Sequence, residues 1–492
     1  MPPLLSRRRA LTAAAGAAAA ALPLPPLARA ADDEAPEDHD DVLRALQALL
    51  FGFSTDIPDA LAYLRARGRP DVVSGLIFAL RFTRYPRDEI LDLLEHLAGA
   101  APGRAWPDWM LWLEGRPDLR SHPAYRVFKR TWFMTIDPDW RPFLRPEFIA
   151  EGAMDIRFEE VVWGGVHRDT IPSLDDPALI PAAEAAYLRD DDLVFGVRIN
   201  GDARAYPLRI MGWHEMFNDV IGGVPVALAY CTLCGAGILY DADGYGRAAP
   251  FRFATSGFLH RSNKLMYDRR TESLWTQFEG RPVSGPLRGS GLVLRRRPVV
   301  IEPWGAWRAR HPRTQVLSLR TGHERDYGSG VVYRDYFASP DLMFPARVDQ
   351  SRLRAKDHVF AIRRQGAAKA WALDLFADGA LRNDVVGGLP IVLIGDGAQA
   401  GAGAGAGGEV EAGAGIGAGI GQGRGVRAYE RGDRVFARNE DGGLVAAGQG
   451  WTLTEDALVS DAGRRLPRIA GHLAYWFAWN NHLGPEGRLV SR

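Results

Sequence analysis

Residues 194–208, VFGVRINGDARAYPL, return as VFAIRRQGAAKAWAL at 359–373, and NDVIGGVPVAL at 218–228 returns as NDVVGGLPIVL at 383–393. One constant offset relates both pairs, so the two stretches align without a gap. Self-similarity at a fixed period marks a duplicated unit. The shared residues are Gly, Pro, Asn-Asp and alternating apolar positions, which a β-rich backbone needs to turn and to fill a core. Chemistry is expected where the copies differ. His214 and Glu215 align with Gly379 and Ala380, and Cys231 and Cys234 align with Asp396 and Gln399.

From residue 155 onward the apolar period is two, with LVFGVRI, ARAYPL, PVALAY, GILYD and LMYD reading as short strands between turns. Trp304 and Trp307 before His311 are echoed by Trp476 and Trp479 before His482, so each unit closes on a short Trp-bearing helix. Residues 41–150 instead carry apolar residues three and four apart, with Asp near the starts and Gly or Pro near the ends of each segment. The expected fold is α+β. An N-terminal α-helical domain at 41–150 precedes a duplicated, mostly antiparallel β-rich domain of two pseudo-symmetric halves, 155–320 with the His/Cys site and 321–492 without it. Trp106, Trp109 and Trp112 share one helical side and are expected in the core or at the seam with the next domain. The Gly/Ala tract at 397–426 cannot bury enough apolar surface to offset its ordering entropy and is expected to be a disordered loop.

The chain opens MPPLLSRRRALTAAAGAAAAALPLPPLARA, an arginine cluster, an Ala-rich run and a small-x-small cleavage signal. Residues 1–30 therefore read as a twin-arginine-like export signal, and the expected location is periplasmic or extracellular. No later segment is apolar for long enough to span a bilayer, so no stable membrane insertion is expected after cleavage. Lys plus Arg and Asp plus Glu both number 60, which argues against nucleic acid as a partner. An unknown small molecule or an exported protein is the expected partner. With 2 cysteines in the chain, three residues apart, the pair is a local device and not a staple of the fold.

Tyr230-Cys231-Thr232-Leu233-Cys234-Gly235 lies between two strands, and two thiolates at this spacing supply half of a zinc site or most of a Cu(I) site. His214 is the expected third ligand. The site is thus read as Cys231, Cys234 and His214 around a transition metal, copper ahead of zinc, with Glu215, His260 or Asp268 available for a fourth position. Glu215, Asp268 and Arg269 are the candidate catalytic side chains. Asp268 and Arg269 belong to a polar segment, 255–280, which together with Arg261, Asn263, Glu272 and Trp275 is expected to wall the cysteine loop, with an Arg269–Glu272 ion pair as the plainer alternative. The Asn-Asp pairs at 218–219 and 383–384 read as turn chemistry. Metal binding, extended to a metal-dependent oxidoreductase, is the leading function. Thiol-disulfide exchange by Cys231 and Cys234 and non-catalytic partner binding are the alternatives, and the residues leave open whether the protein is an enzyme.

WGGVHRDTIPSLDDP at 163–177, the run AYPLRIMGWHEMFNDVIGGVPVALAYCTLCGAGILYD and SGFLHRSNKLMYDRRTESLW resemble the bacterial family known as domain of unknown function 3179, over about 155–485. The resemblance implies an exported, duplicated, β-rich architecture and places Trp213, His214, Glu215, Cys231, Cys234, Tyr267, Asp268, Arg269 and Trp275 among the family's motif residues. It implies no established activity.

Overall fold

A computed structural model describes residues 37–396, except 248, and 425–491. The expected export signal at 1–30 and residues 397–424 of the Gly/Ala tract lie outside the described residues.

Helices His39–Phe51, Asp56–Arg67, Val73–Phe82, Arg87–Ala98, Trp106–Glu114 and Ala124–Ile136 form the first part of the chain. Val73–Phe82 is apolar nearly all round and buried over most of its length, so it is the central helix about which the others pack. Its Gly75 permits the close crossing: a Cβ there would lie 2.6 Å from Leu46 Cδ2. Trp109 is fully buried in this core, and Trp106 and Trp112 pack against it partly buried, as a core stripe would. The core does not end with the helices. It runs on through Phe258, Leu265, Tyr267 and Leu274 of the next sheet, where Phe258 packs 4.5 Å from the Trp140 ring and Trp140 Nε1 donates to the Ser256 carbonyl at 2.7 Å.

That sheet has the order Val161–Trp163, Phe253–His260, Asn263–Asp268, Leu274–Thr276, Pro282–Ser284. A second sheet holds Ala236–Asp241, Val224–Cys231 and Met216–Ile221 as antiparallel neighbours, and a third centres on the hairpin of Leu193–Ile199 with Asp202–Pro207. Farther along, His358–Arg364 pairs with Ala367–Ala372, and Leu381–Val386 with Leu389–Gly395, the latter opening an eight-stranded sheet.

Hairpins at the positions aligned by sequence share their details. Val194 sits opposite Pro207 as Val359 sits opposite Ala372, and Ile221 opposite Val224 as Val386 opposite Leu389. Both latter turns are Gly-Gly with positive φ at each residue, 54° and 79° in one, 53° and 76° in the other, as a two-residue hairpin of matching twist demands. The Asn-Asp pairs do more than turn the chain. Asn218 brackets the backbone of Phe253 through its N–H and carbonyl at 2.8 and 2.9 Å, and Asn383 brackets Phe436 at 2.9 and 2.9 Å. Asp219 accepts from Tyr206 at 2.5 Å and Arg204 at 2.7 Å, while Asp384 accepts from Trp371 at 2.8 Å and Lys369 at 2.5 Å. Asn218, Asp219 and Asp384 therefore pin one strand to another, and Asn383 pins its strand to the loop residue Phe436.

Side chains from both stretches fill common cores. Phe195, Tyr206 and Phe217 pack in one cluster with Phe360, Trp371 and Phe376, and Cys231 and Cys234 lie in another with Tyr475, Trp476 and Trp479. At the position aligned with Cys231, Asp396 accepts from the fully buried Arg427 at 2.7 and 2.8 Å. Arg427 also reaches Glu455 at 2.7 Å and Glu302 at 3.1 Å, so one guanidinium gathers carboxylates from distant parts of the chain.

Candidate functional site

The strand Val224–Cys231 delivers the first sulfur, and a tight turn returns the chain so that Ala236 faces Cys231. Cys234 N donates to the Cys231 carbonyl at 3.1 Å and Gly235 N to the Thr232 carbonyl at 3.2 Å. Gly235 has φ +56°, and a Cβ on it would lie 3.1 Å from the Tyr475 ring. Tyr475 N donates to the Cys234 carbonyl at 2.8 Å, so the strand His472–Tyr475 closes over the turn. Tyr336 covers it from another side, its hydroxyl donating to the Leu233 carbonyl at 2.7 Å.

Both thiols are free and buried. Cys234 Sγ contacts the Ser262 carbonyl at 3.4 Å and accepts from Asn263 Nδ2 at 3.4 Å. Asn263 in turn donates to Gln277 Oε1 at 2.7 Å, and Gln277 Nε2 spans the carbonyls of Ala229 and Ala236 at 2.8 and 2.7 Å. This chain of amides fixes the sulfur against the hairpin that bears it. Ser262 is presented by a turn in which Arg261 and Ser262 both have positive φ, +47° and +63°. Non-glycine residues adopt that conformation at a cost of roughly 1–2 kcal/mol each, so the surrounding structure must hold it.

The charges beside the sulfurs are Glu215 and Lys264, an ion pair with side chains 6% and 5% exposed. Glu215 Oε1 accepts from Thr232 at 2.8 Å, Lys264 Nζ donates to Thr255 at 3.2 Å, and the Tyr333 hydroxyl reaches both Thr232 and Glu215. Burial pushes the Cys231 thiol up, but a hydrogen bond from Cys234, the backbone N–H of Lys264 and the Lys264 ammonium together bring it below the usual thiol range. Cys234 is pushed well above that range by burial and then by the neighbouring Cys231. The pair therefore favours a thiolate on Cys231 with the proton kept on Cys234.

His214 is not part of this arrangement. It ends the helix Leu208–His214, and Glu215 follows with φ +57°, which turns the two neighbours to different sides. His214 Nδ1 lies 2.8 Å from the Pro172 carbonyl and Nε2 lies 2.6 Å from the Tyr327 hydroxyl. Both ring nitrogens are engaged away from the sulfurs. Among the described residues no group of three or more His, Cys, Asp or Glu side chains is arranged to hold a metal ion. The expected copper or zinc set of Cys231, Cys234 and His214 is thus not assembled, because the only imidazole offered by the motif is committed elsewhere.

Two of the three expected catalytic side chains also lie apart. Asn263 touches Cys234, and Asp268 is at the other end of the same strand, about 16 Å away at roughly 3.3 Å per residue. Asp268 shapes the next turn, accepting from Thr271 N at 2.7 Å, Thr271 Oγ1 at 2.6 Å and Trp275 Nε1 at 3.0 Å. Arg269 donates to Ser173 at 2.6 Å and pairs with Asp175, while Glu272 pairs with Arg168 at 2.8 Å, so Arg269 and Glu272 are not partners. His260 is satisfied by Glu160 at 3.2 Å. Of the expected wall, Asn263 touches a sulfur. Lys264, its neighbour, is the charged group that sequence reasoning passed over; Tyr333, Tyr336 and Tyr475 arrive from far along the chain with no local signal.

Residues 168–486 match the family model described as protein of unknown function, DUF3179. No curated protein and no solved structure matches the chain.

Proposed function

Because the chain belongs to the DUF3179 family, a family without an assigned activity, we propose from the site alone that Cys231 and Cys234 are a redox-active dithiol that exchanges with a disulfide. The observation that carries this reading is the buried pair of free thiols on one tight turn, with the buried Lys264–Glu215 ion pair beside it and the Lys264 ammonium favouring a thiolate on Cys231. A thiolate paired with a nearby resolving thiol is the arrangement exchange requires.

In the forward step the Cys231 thiolate attacks one sulfur of a partner disulfide, and the partner's S–S bond breaks. The leaving thiolate takes a proton, ultimately that of Cys234. Cys234, now a thiolate, attacks Cys231 Sγ, closing the internal disulfide and releasing the second partner sulfur, which is protonated by water. One disulfide is consumed, one is formed, and two electrons pass to the partner. Burial of both sulfurs restricts direct attack to small disulfides, or to larger ones after Tyr336 and Tyr475 move aside.

The matched hairpins, Gly-Gly turns and Asn and Asp pins support reading 155–320 and 321–492 as a duplicated unit of two pseudo-symmetric halves. In the second half the aligned positions hold Asp396 and Gln399 in place of the thiols, and Asp396 pairs with Arg427. The leader at 1–30 supports export to the periplasm or beyond, where disulfides persist.

The test equilibrates full-length protein in dithiothreitol buffers of graded redox ratio, then traps thiols with a maleimide of large mass under denaturing conditions. A two-thiol to no-thiol transition, lost in Cys231→Ser and Cys234→Ser, is expected. Thiols that remain reduced throughout would overturn the reading. So would stoichiometric copper or zinc in protein isolated without added metal and absent from both variants, which would move the site to metal binding.

A further inference from the structure

His214 belongs to a second arrangement on the outer side of the same helix. Pro172 offers only a carbonyl there, so His214 Nδ1 must donate. Burial holds the imidazole down to about 4, which leaves the ring neutral and Nε2 an acceptor. The Tyr327 hydroxyl at 2.6 Å therefore donates to Nε2. Its own oxygen accepts from Thr321 Oγ1, also at 2.6 Å. Direction along this line is fixed: Thr321 to Tyr327 to His214 to Pro172.

Half-buried Tyr327 opens onto a cleft of about 870 Å³ lined also by Tyr187, Arg209, His323, Arg325 and Asp326. Arg209 donates to the Tyr187 carbonyl at 2.5 Å and pairs with Asp192 at 3.4 Å, yet its Nε–H is buried without an acceptor. Arg325 stands over the Trp213 ring at 6.0 Å with its charge exposed. Glu324 also lines the cleft, and Asp326 is turned toward Gly328 N at 2.8 Å.

We propose that this cleft is a ligand site for a small organic hydroxy acid, its carboxylate against Arg209 and Arg325 and its hydroxyl donating to Tyr327. The phenol oxygen has one lone pair left after Thr321, so it recognises a donor, and the two arginines recognise an oxyanion. The site is independent of the thiols, and Cys231→Ser is expected to leave it unchanged.

Calorimetric titration of full-length protein with malate, with succinate, which lacks the hydroxyl, and with inorganic phosphate tests it. Malate is expected to bind saturably and about fivefold more tightly than succinate, the worth of one hydrogen bond. Tyr327→Phe is expected to erase that ratio while keeping succinate affinity, and Arg325→Gln to weaken both acids, with near-ultraviolet circular dichroism confirming that each variant is folded. Absence of saturation with malate, a malate preference that survives in Tyr327→Phe, or phosphate binding as tight as malate would each overturn the proposal.

Discussion

Lys264 and Glu215 form an ion pair inside the protein, neither side chain more than 6% exposed, between the end of one helix, the cysteine turn and the strand that holds Cys234. Removing one partner leaves an uncompensated charge, which costs about 3–5 kcal/mol. Lys264→Met is accordingly expected to lower unfolding free energy by that order. The Lys264→Met/Glu215→Gln double variant should recover part of the loss, as chemical denaturation of the three proteins will show.

The same pair tunes Cys231 with opposite signs. Lys264 holds the thiol down and Glu215 pushes it up. Glu215→Gln is therefore expected to lower the pH at which the Cys231 thiolate forms, and Lys264→Met to raise it. Thiolate absorbance followed against pH in a Cys234→Ser background reads both shifts; equal titrations in the two variants would remove the electrostatic coupling.

Much of the β framework was legible because its requirements are local. Gly222-Gly223 and Gly387-Gly388 announce two-residue hairpins, and the constant offset predicts equivalent strands around them. The site was half legible. Both cysteines and Glu215 were found, but His214 and Glu215 are adjacent, and only the left-handed backbone at Glu215 sends them to different sides. No periodicity encodes that rotation. The partners that define each environment, Tyr327 for His214 and Tyr475 for Cys234, lie more than a hundred residues away.

Gly222 and Gly223 separate two effects that sequence alone merges. Both have positive φ, but a Cβ on Gly222 would lie 2.1 Å from the Ile199 carbonyl oxygen, whereas one on Gly223 meets nothing within 4 Å. Gly223→Ala should cost about 1 kcal/mol of backbone strain. Gly222→Ala must also displace backbone and is expected to cost more, measured as a larger fall in denaturation midpoint. The same order should hold for Gly387→Ala over Gly388→Ala, since Gly387 approaches the Arg364 carbonyl oxygen at 2.7 Å and Gly388 is open.

His214 also sets a pH dependence of stability. Burial lowers it from near 6.5 to about 4 in the native state. Between those values the unfolded chain binds a proton that the native protein refuses, so stability rises with pH and is lost as pH falls. The contribution of this one ring to the difference between pH 7 and pH 5 is about 2 kcal/mol. Urea midpoints of wild type and His214→Gln at the two pH values isolate it, because every other titrating group is common to both. Wild type should lose more on acidification than the variant. Equal losses would mean that the ring takes up its proton as readily in the folded protein as in the unfolded chain, and at pH 5 Nε2 would then donate to Tyr327.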